Sequence, residues 1–163
     1  TQEETRELIA TARRMVPGIA IRTTFLVGFP GETEEEFGDL CEFVEDMQFE
    51  RVGVFKYSHE ENTIAFDVAD DIPAEVKNER ANHLMEIQQQ VALEKNETLV
   101  GKRFKVLFDR KEGEFFIGRT EFDSPEVDNE VLLNAKENFV RLGDFAEVEI
   151  IEAADYDLYA KLI

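Results

Sequence analysis

Cysteine is almost absent from this sequence of 163 residues, in which Cys41 is the single example. One thiol cannot form an intramolecular disulfide or a cysteine-ligated metal site within the chain. Cys41 lies on the apolar side of a helical pattern, so we interpret it as a core residue rather than a nucleophile. The two histidines, His59 and His83, are far apart and have no cysteine or paired carboxylates beside them, so they do not indicate a metal site.

Basic residues are also scarce, because 37 Asp and Glu face 18 Lys and Arg and give a net charge of −19. Such a surface repels phosphate backbones, which argues against nucleic acid as a partner. No apolar run approaches the roughly 20 residues that cross a bilayer, and the single cysteine suits a reducing compartment, so we expect a cytoplasmic protein. The sequence begins at Thr1 within a helical pattern and without an initiator Met, which suggests a segment of a longer polypeptide.

Helical and strand patterns alternate in the first hundred residues. The predicted elements are a helix over residues 1–16, a strand over Ile19–Val27 that is buried on both faces, a helix after Thr33 and a strand over Val52–Tyr57. Thr1 with Glu4 and Thr33 with Glu36 have the spacing of capping boxes. We interpret Glu32, at the start of the second helix, as a residue that favours the helix dipole. This order predicts β/α architecture with parallel strands.

The period changes in the last third of the chain. Pro73 stands at the start of a long helix whose predicted apolar side includes Leu84 and Val91. Beyond Gly101 apolar and polar residues alternate, and turn signals divide about five short strands, which predicts a small antiparallel β-barrel. We therefore expect an α/β chain with two domains, residues 1–99 and residues 100–163.

Residues 23–33 read Thr-Thr-Phe-Leu-Val-Gly-Phe-Pro-Gly-Glu-Thr, which closely resembles the fifth-strand motif of the radical-SAM methylthiotransferases. Residues 51–58 resemble the sixth strand of that family's barrel, and Asn62 replaces a usual glycine at what we interpret as a left-handed position. Residues 88–102 resemble the link to the family's TRAM domain, a small OB-like β-barrel. Further matches are Gly118–Thr120, Ser124–Asp128, Gly143–Phe145 and Tyr156–Tyr159. The resemblance implies the C-terminal part of a radical-SAM partial (β/α) barrel, joined by a long helix to TRAM.

The resemblance implies a parent enzyme that uses S-adenosylmethionine and two 4Fe-4S clusters. The cysteines that hold those clusters in the family are absent here, so we expect the segment alone to be inactive and to contain no catalytic or metal-binding residue. The acidic charge favours the RimO type, which modifies an aspartate of the basic ribosomal protein twelve of the small subunit, docked through TRAM. Two alternatives are a tRNA methylthiotransferase, although tRNA is an improbable partner for an acidic chain, and a non-catalytic protein-binding module.

Ligands of β/α barrels bind at the carboxyl ends of the strands. On the resemblance, we expect S-adenosylmethionine to contact a set of residues at two strand ends: Val27, Gly28, Phe29, Phe55, Lys56 and Tyr57. Arg22 is a further candidate, because a buried guanidinium needs a partner, either a cofactor or substrate carboxylate or a structural ion pair with a nearby Glu. The apolar members of the set could equally be core residues.

Two parallel strands cannot close a barrel, so their flanks should expose apolar surface. We therefore expect the segment to self-associate, or its first half to be disordered, when it is studied alone.

Overall fold

The computed structural model describes residues 1–125 and 129–163, so part of the predicted Ser124–Asp128 match lies outside the described residues. Contacts divide the chain into two compact units, Thr1–Val91 and Ala92–Ile163. In chain order the first elements are α1 Gln2–Met15, β1 Arg22–Val27, α2 Glu34–Met47, β2 Arg51–Lys56, a short 3-10 helix Ile64–Asp67 and α3 Ala74–Glu97. The remaining strands are β3 Arg103–Glu112, β4 Phe115–Arg119, β5 Val131–Asn134, β6 Phe145–Ala153 and β7 Leu158–Leu162.

Both predicted capping boxes are present at the starts of α1 and α2. The Glu4 amide donates to Thr1 Oγ1 at 3.3 Å, and the Glu36 amide donates to Thr33 Oγ1 at 3.2 Å. In each box the glutamate side chain also accepts from the backbone of the capping threonine, so otherwise orphaned amide donors are satisfied. The two helix starts are therefore fixed by local sequence, as predicted. Among the described helices, none has the length and apolar character needed to cross a membrane.

β1 and β2 form a two-stranded parallel sheet in which Leu26 is the register partner of Phe55. One face of the sheet packs on an apolar core in which Val27 contacts a cluster made by α2 and α3: Phe37, Cys41, Val44 and Leu84. The opposite face is open, since Leu26 is 49% exposed and Phe55 is 65% exposed. The expected apolar flank is confirmed.

Two details of the β1 prediction are wrong. The strand begins at Arg22 rather than Ile19, and its exposure alternates along its length instead of showing burial on both faces. Arg22 is consequently exposed, not buried. The reason is that the helices of this unit cover one face of the sheet, while a continuous apolar sequence describes a strand that has helices on both faces.

The tolerance of Asn62 for a left-handed backbone is confirmed. Its φ is +66°, one of two positive values at residues other than glycine in the described part of the chain. Asparagine adopts this region more readily than most residues, because its short polar side chain can hydrogen-bond locally.

The second unit contains a closed barrel with the strand order β3-β4-β5-β7-β6. Its core consists of alternating residues from all five strands, among them Val106, Phe108, Phe116, Leu133, Val148, Ile150 and Leu158. The prediction of a purely antiparallel barrel is wrong in one respect, because β5 and β7 pair in parallel. A closed ring with an odd number of strands cannot alternate direction throughout, so at least one neighbouring pair must be parallel.

Glycine is required at one point of this barrel. A Cβ on Gly118 would lie 2.6 Å from the carbonyl oxygen of Leu107 and 2.6 Å from Val106 Cγ1. Gly118 pairs with Phe108, immediately before the register of β3 and β4 shifts. The close approach of the two strands at this irregularity therefore depends on the missing side chain.

Gly118→Ala and Gly38→Ala should change stability in opposite directions. The first forces a methyl group against backbone and should destabilise the barrel by about 1–3 kcal/mol. Gly38 lies within α2 and a Cβ there meets nothing within 4 Å, so alanine should stabilise the first unit by about 0.5–1 kcal/mol. Urea unfolding followed by NMR signals from β4 and from α2 measures both. A stabilising Gly118→Ala would show that the strands do not approach this closely.

Candidate functional site

The loop between β1 and α2 turns sharply at the carboxyl end of β1. Gly28 has a φ of +73°, and its amide donates to Glu32 Oε1 at 3.0 Å. The Glu32 amide donates to the carbonyl oxygen of Phe29 at 2.9 Å, which closes the turn. Glu32 lies immediately before the capping residue Thr33, and its carboxylate accepts from the loop, a role that our interpretation of Glu32 as a dipole-favouring residue did not include.

Lys77 of α3 lies directly beneath this loop. A Cβ on Gly28 would be 2.4 Å from Lys77 Cγ, so the lysine stem packs against the Gly28 backbone. Lys77 Nζ donates to Asp70 at 2.7 and 2.6 Å and to the carbonyl oxygen of Tyr57 at 3.4 Å. It also lies 5.0 Å from the centre of the Tyr57 ring, within range of a cation–π interaction. The hydrogen bond from Lys77 holds the pKa of Asp70 below its ordinary value.

Arg80 lies one turn further along α3 and binds the carboxylates of two glutamates, Glu32 and Glu34. Arg80 Nη1 donates to Glu32 Oε1 at 2.6 Å and to the Glu32 carbonyl oxygen at 3.1 Å, and Nη2 donates to Glu34. The guanidinium lies 5.4 Å from the centre of the Phe37 ring. Burial alone would lower the pKa of Arg80, but the hydrogen bonds with Glu34 and Glu32 outweigh it and raise the pKa above its ordinary value.

The carboxyl end of β2 meets that of β1 beside these cations. The Tyr57 amide donates to the carbonyl oxygen of Val27 at 2.9 Å, which extends the parallel pairing by one residue. The Tyr57 hydroxyl donates to the carbonyl oxygen of Ala65 at 3.3 Å, and its ring packs edge-on against Phe29 with centroids 5.2 Å apart. Both strand ends and the segment after β2 are thereby joined.

The structure brings six of the seven predicted site residues to these adjacent strand ends. Val27 and Tyr57 are buried, and Gly28 is covered by Lys77. Phe29 and Phe55 are exposed.

Lys56, the sixth residue at the strand ends, and Arg22, which lies elsewhere, have different surroundings. Lys56 is exposed, and its Nζ donates to Asn78 Oδ1 at 2.7 Å. Arg22 is the first residue of β1 and Val27 is the last. Because a strand rises about 3.3 Å per residue, the two lie about 16 Å apart along the strand. Arg22 lies on the open face of the sheet, opposite Arg51 in register, and away from the strand ends.

Sequence reasoning missed three residues that fix the loop, Asp70, Lys77 and Arg80, and it missed the role of Glu32 in the loop. A signal was present in the sequence. Successive members of the set Lys77, Arg80, Leu84 and Gln88 are three or four residues apart, so all four lie on one face of α3. The apolar pattern drew attention to Leu84 and Val91 and not to the polar residues beside them. All three polar residues are buried, and Gln88 Nε2 donates to the carbonyl oxygen of Phe49 at 3.1 Å.

Several basic side chains on the barrel form ion pairs with nearby acids. Arg110 donates to Glu112 and Glu130 at 2.6 Å each, which raises its pKa, and Arg119 donates to Asp109 at 2.8 Å. Three further ion pairs join Lys136 to Glu114, Arg141 to Asp144 and Lys161 to Glu149. Arg103 and Lys105 on β3 are the register partners of Glu149 and Glu147 on β6. In the described part of the barrel, acids therefore pair with several of the arginines and lysines and stand opposite Arg103 and Lys105.

Residues 1–125 and 129–163 contain no group of three or more His, Cys, Asp or Glu side chains placed to hold a metal ion. Cys41 is buried beneath the sheet, and burial raises the pKa of its thiol. Since a 4Fe-4S cluster needs several thiolates and the sequence has one cysteine, the residues of this chain do not fit one. The strand ends do fit a ligand with an apolar ring, because Phe29 and Phe55 present exposed aromatic surface beside backbone polar groups.

Comparison with known proteins gives matches along the whole chain. Residues 100–163 match the family model of the TRAM domain. The ribosomal protein uS12 methylthiotransferase RimO of Christiangramia forsetii is 55% identical over 99% of this chain and 36% of its own length. The proteins of the same name from Cytophaga hutchinsonii and Phocaeicola vulgatus are 54% and 52% identical, over 98% and 100% of this chain and 37% and 38% of their own lengths. The chain therefore spans less than two fifths of these curated relatives.

Replacing Asp70 by Asn should remove a stabilising interaction that depends on pH. Because Lys77 lowers the pKa of Asp70 in the folded state, its contribution is complete above the unfolded pKa of about 4 and is lost as the pH falls through the lower folded value. Wild type should therefore exceed Asp70→Asn in stability at pH 7, and the difference should shrink below about pH 4. Hydrogen exchange of the β1 amides measures this difference. A gap that persists unchanged at pH 3 would rule out the ion pair as its cause.

Proposed function

Because this chain is homologous from end to end to the RimO-type uS12 methylthiotransferases and carries a TRAM domain, we propose that it is the C-terminal part of a radical-SAM enzyme. The enzyme adds a methylthio group to an aspartate of ribosomal protein uS12 in the cytoplasm. S-adenosylmethionine and two 4Fe-4S clusters are its cofactors. The observation that carries the proposal is identity of 52–55% over 98–100% of the chain to proteins of that name.

In this proposal β1 and β2 are the last two strands of a partial (β/α) barrel. The chain then has two domains: residues 1–99, which contain these strands and the connecting helix, and residues 100–163, which form the TRAM domain. The open sheet face supports this assignment, because exposed Leu26 and Phe55 side by side are unusual on a finished surface. The missing strands of the parent would lie beside β1, and the open face would be the interior of the barrel. Without them, the same surface accounts for the self-association that we expect of the segment.

The proposed cofactor wall lies at the carboxyl ends of β1 and β2. Phe29 and Phe55 offer apolar surface to the adenine of S-adenosylmethionine, while Val27, Gly28 and Tyr57 fix the backbone between them. Lys56 is exposed at the same edge, and Arg22 would face the barrel interior further from the strand ends. When bound, S-adenosylmethionine supplies the radical chemistry of the reaction. The residues of this segment bind and orient it.

The charge distribution of the barrel favours a protein substrate over tRNA. A surface that binds nucleic acid places unneutralised Arg and Lys against phosphates. Here Arg110 is held between two glutamates and Arg119 is bound to Asp109. Residues 97–163 hold 16 acids and 9 bases, so their net charge of −7 would attract the basic protein uS12.

Removing the carboxylates that pair with Arg110 and Arg119 should shift binding from uS12 toward tRNA. The chain should bind uS12 and not tRNA, whereas a triple variant with Asp109→Asn, Glu112→Gln and Glu130→Gln should lose affinity for uS12 and gain affinity for tRNA, because Arg110 and Arg119 are then available to phosphates. Titration by fluorescence anisotropy at two salt concentrations measures both. A matched control removes the same charge from α3, with Glu75→Gln, Glu79→Gln and Glu86→Gln. Tight, salt-sensitive binding of tRNA by the unaltered chain would contradict the proposal.

The chain alone should not assemble a 4Fe-4S cluster. Its one thiol, Cys41, is buried, so anaerobic reconstitution with iron and sulfide should leave the purified chain without bound iron and unable to form deoxyadenosine. Iron and acid-labile sulfide assays measure the first outcome and chromatography the second. The full-length enzyme, treated in parallel, is the positive control. Bound iron and deoxyadenosine from the 163-residue chain would disprove our assignment.

A further inference from the structure

Two cations on one face of α3 support the strand ends. Lys77 is 6% exposed and Arg80 is 5% exposed. Lysine and arginine are almost never buried to this extent unless they are paired. Because they are three residues apart, they lie next to each other on the helix, and both point toward the loop that follows β1.

The two side chains support the loop in different ways. The stem of Lys77 packs against Gly28, and its ammonium binds the carbonyl oxygen of Tyr57, so Lys77 contacts the ends of both strands. Arg80 acts through Glu32, whose Oε1 accepts simultaneously from Arg80 Nη1 at 2.6 Å and from the Gly28 amide at 3.0 Å. Arg80 therefore fixes the acceptor that in turn fixes the Gly28 peptide.

Stability alone does not account for this arrangement. Apolar residues of similar volume often stabilise a buried contact as well as an ion pair does, or better. The same helix face uses such residues at Leu84 and Val91, which are buried. Arg80 also keeps its Nε buried with no hydrogen-bond acceptor, which costs free energy. What the cations add is direction, because charge-assisted hydrogen bonds fix the orientation of the peptide groups that they hold.

We propose that Lys77 and Arg80 are positioning residues for the S-adenosylmethionine site, an inference that rests on the proposed function. They hold the backbone of Val27–Phe29 and the carbonyl group of Tyr57 in the orientation that receives the cofactor. Neither side chain touches the cofactor. Loss of either one should weaken cofactor binding more than it slows the step that follows binding.

The test uses the full-length enzyme with Arg80→Met and Arg80→Lys. Equilibrium dialysis gives the Kd for S-adenosylmethionine directly, and initial rates give KM and kcat. For Arg80→Met we expect Kd and KM for S-adenosylmethionine to rise roughly tenfold, with kcat at saturation changed less than about threefold. Arg80→Lys should rescue part of the loss, because an ammonium can bind Glu32 but cannot reach Glu34 in the same geometry.

Arg13→Met is the matched control. Like Arg80, Arg13 binds backbone, and it donates to the carbonyl oxygens of Met47 and Gln48 at the far end of α2. Its loss should therefore lower thermal stability and leave Kd unchanged. Hydrogen exchange of residues 28–34 in the 163-residue chain should accelerate in Arg80→Met and not in Arg13→Met.

An Arg80→Met enzyme with a lower Tm and an unchanged Kd would overturn the inference. If that variant does not fold, Lys77→Arg replaces it, since it keeps the charge and alters the packing beneath Gly28, and an unchanged Kd would count equally against us. A wild-type enzyme that binds no S-adenosylmethionine would instead overturn the proposed function itself.

Discussion

The carboxylate of Glu32 connects the parts of the first unit on which the candidate site depends. One of its oxygens accepts from Arg80 of α3 and from the amide of Gly28, so the helix and the end of β1 share a single acceptor. Arg80 extends the same contact to Glu34, the first residue of α2. A change in this carboxylate would therefore reach the loop, the start of α2 and the position of α3 together. Charge-assisted bonds around a buried guanidinium act as a network, in which removing one member leaves the others unsatisfied.

Local features could be predicted from the sequence, and contacts between distant residues could not. Capping boxes at Thr1 and Thr33 involve residues three apart, and the left-handed position of Asn62 depends on one residue, so each was readable. Burial is different, because it depends on what covers a strand. The apolar run through β1 was compatible with a strand covered on both faces, and the absence of cover on the Leu26 side follows from the small number of elements in the unit.

The candidate site shows the same division. The strand-end residues could be named as candidates, because ligands of β/α barrels bind at the carboxyl ends of the strands. Lys77 and Arg80 were missed, since a charged residue in a helix is usually solvated, and only the partners Asp70 and Glu32 make their burial acceptable. These partners lie 7 and 48 residues away along the chain. A search for charged residues in register with the apolar stripe of a helix would have identified both cations.

Net charge and charge pairing answer different questions about the barrel. A net charge of −19 disfavours nucleic acid on average, yet an acidic chain can still present a local cluster of arginines to phosphates. Pairing removes that possibility where it is observed, because an arginine held by two carboxylates must lose them before it binds a phosphate. The cross-strand partners Arg103 and Glu149, and Lys105 and Glu147, place acids opposite bases along the β3–β6 surface. A basic protein does not face this cost. Each of its lysines or arginines can form an ion pair with a carboxylate of the barrel without displacing an arginine of the barrel.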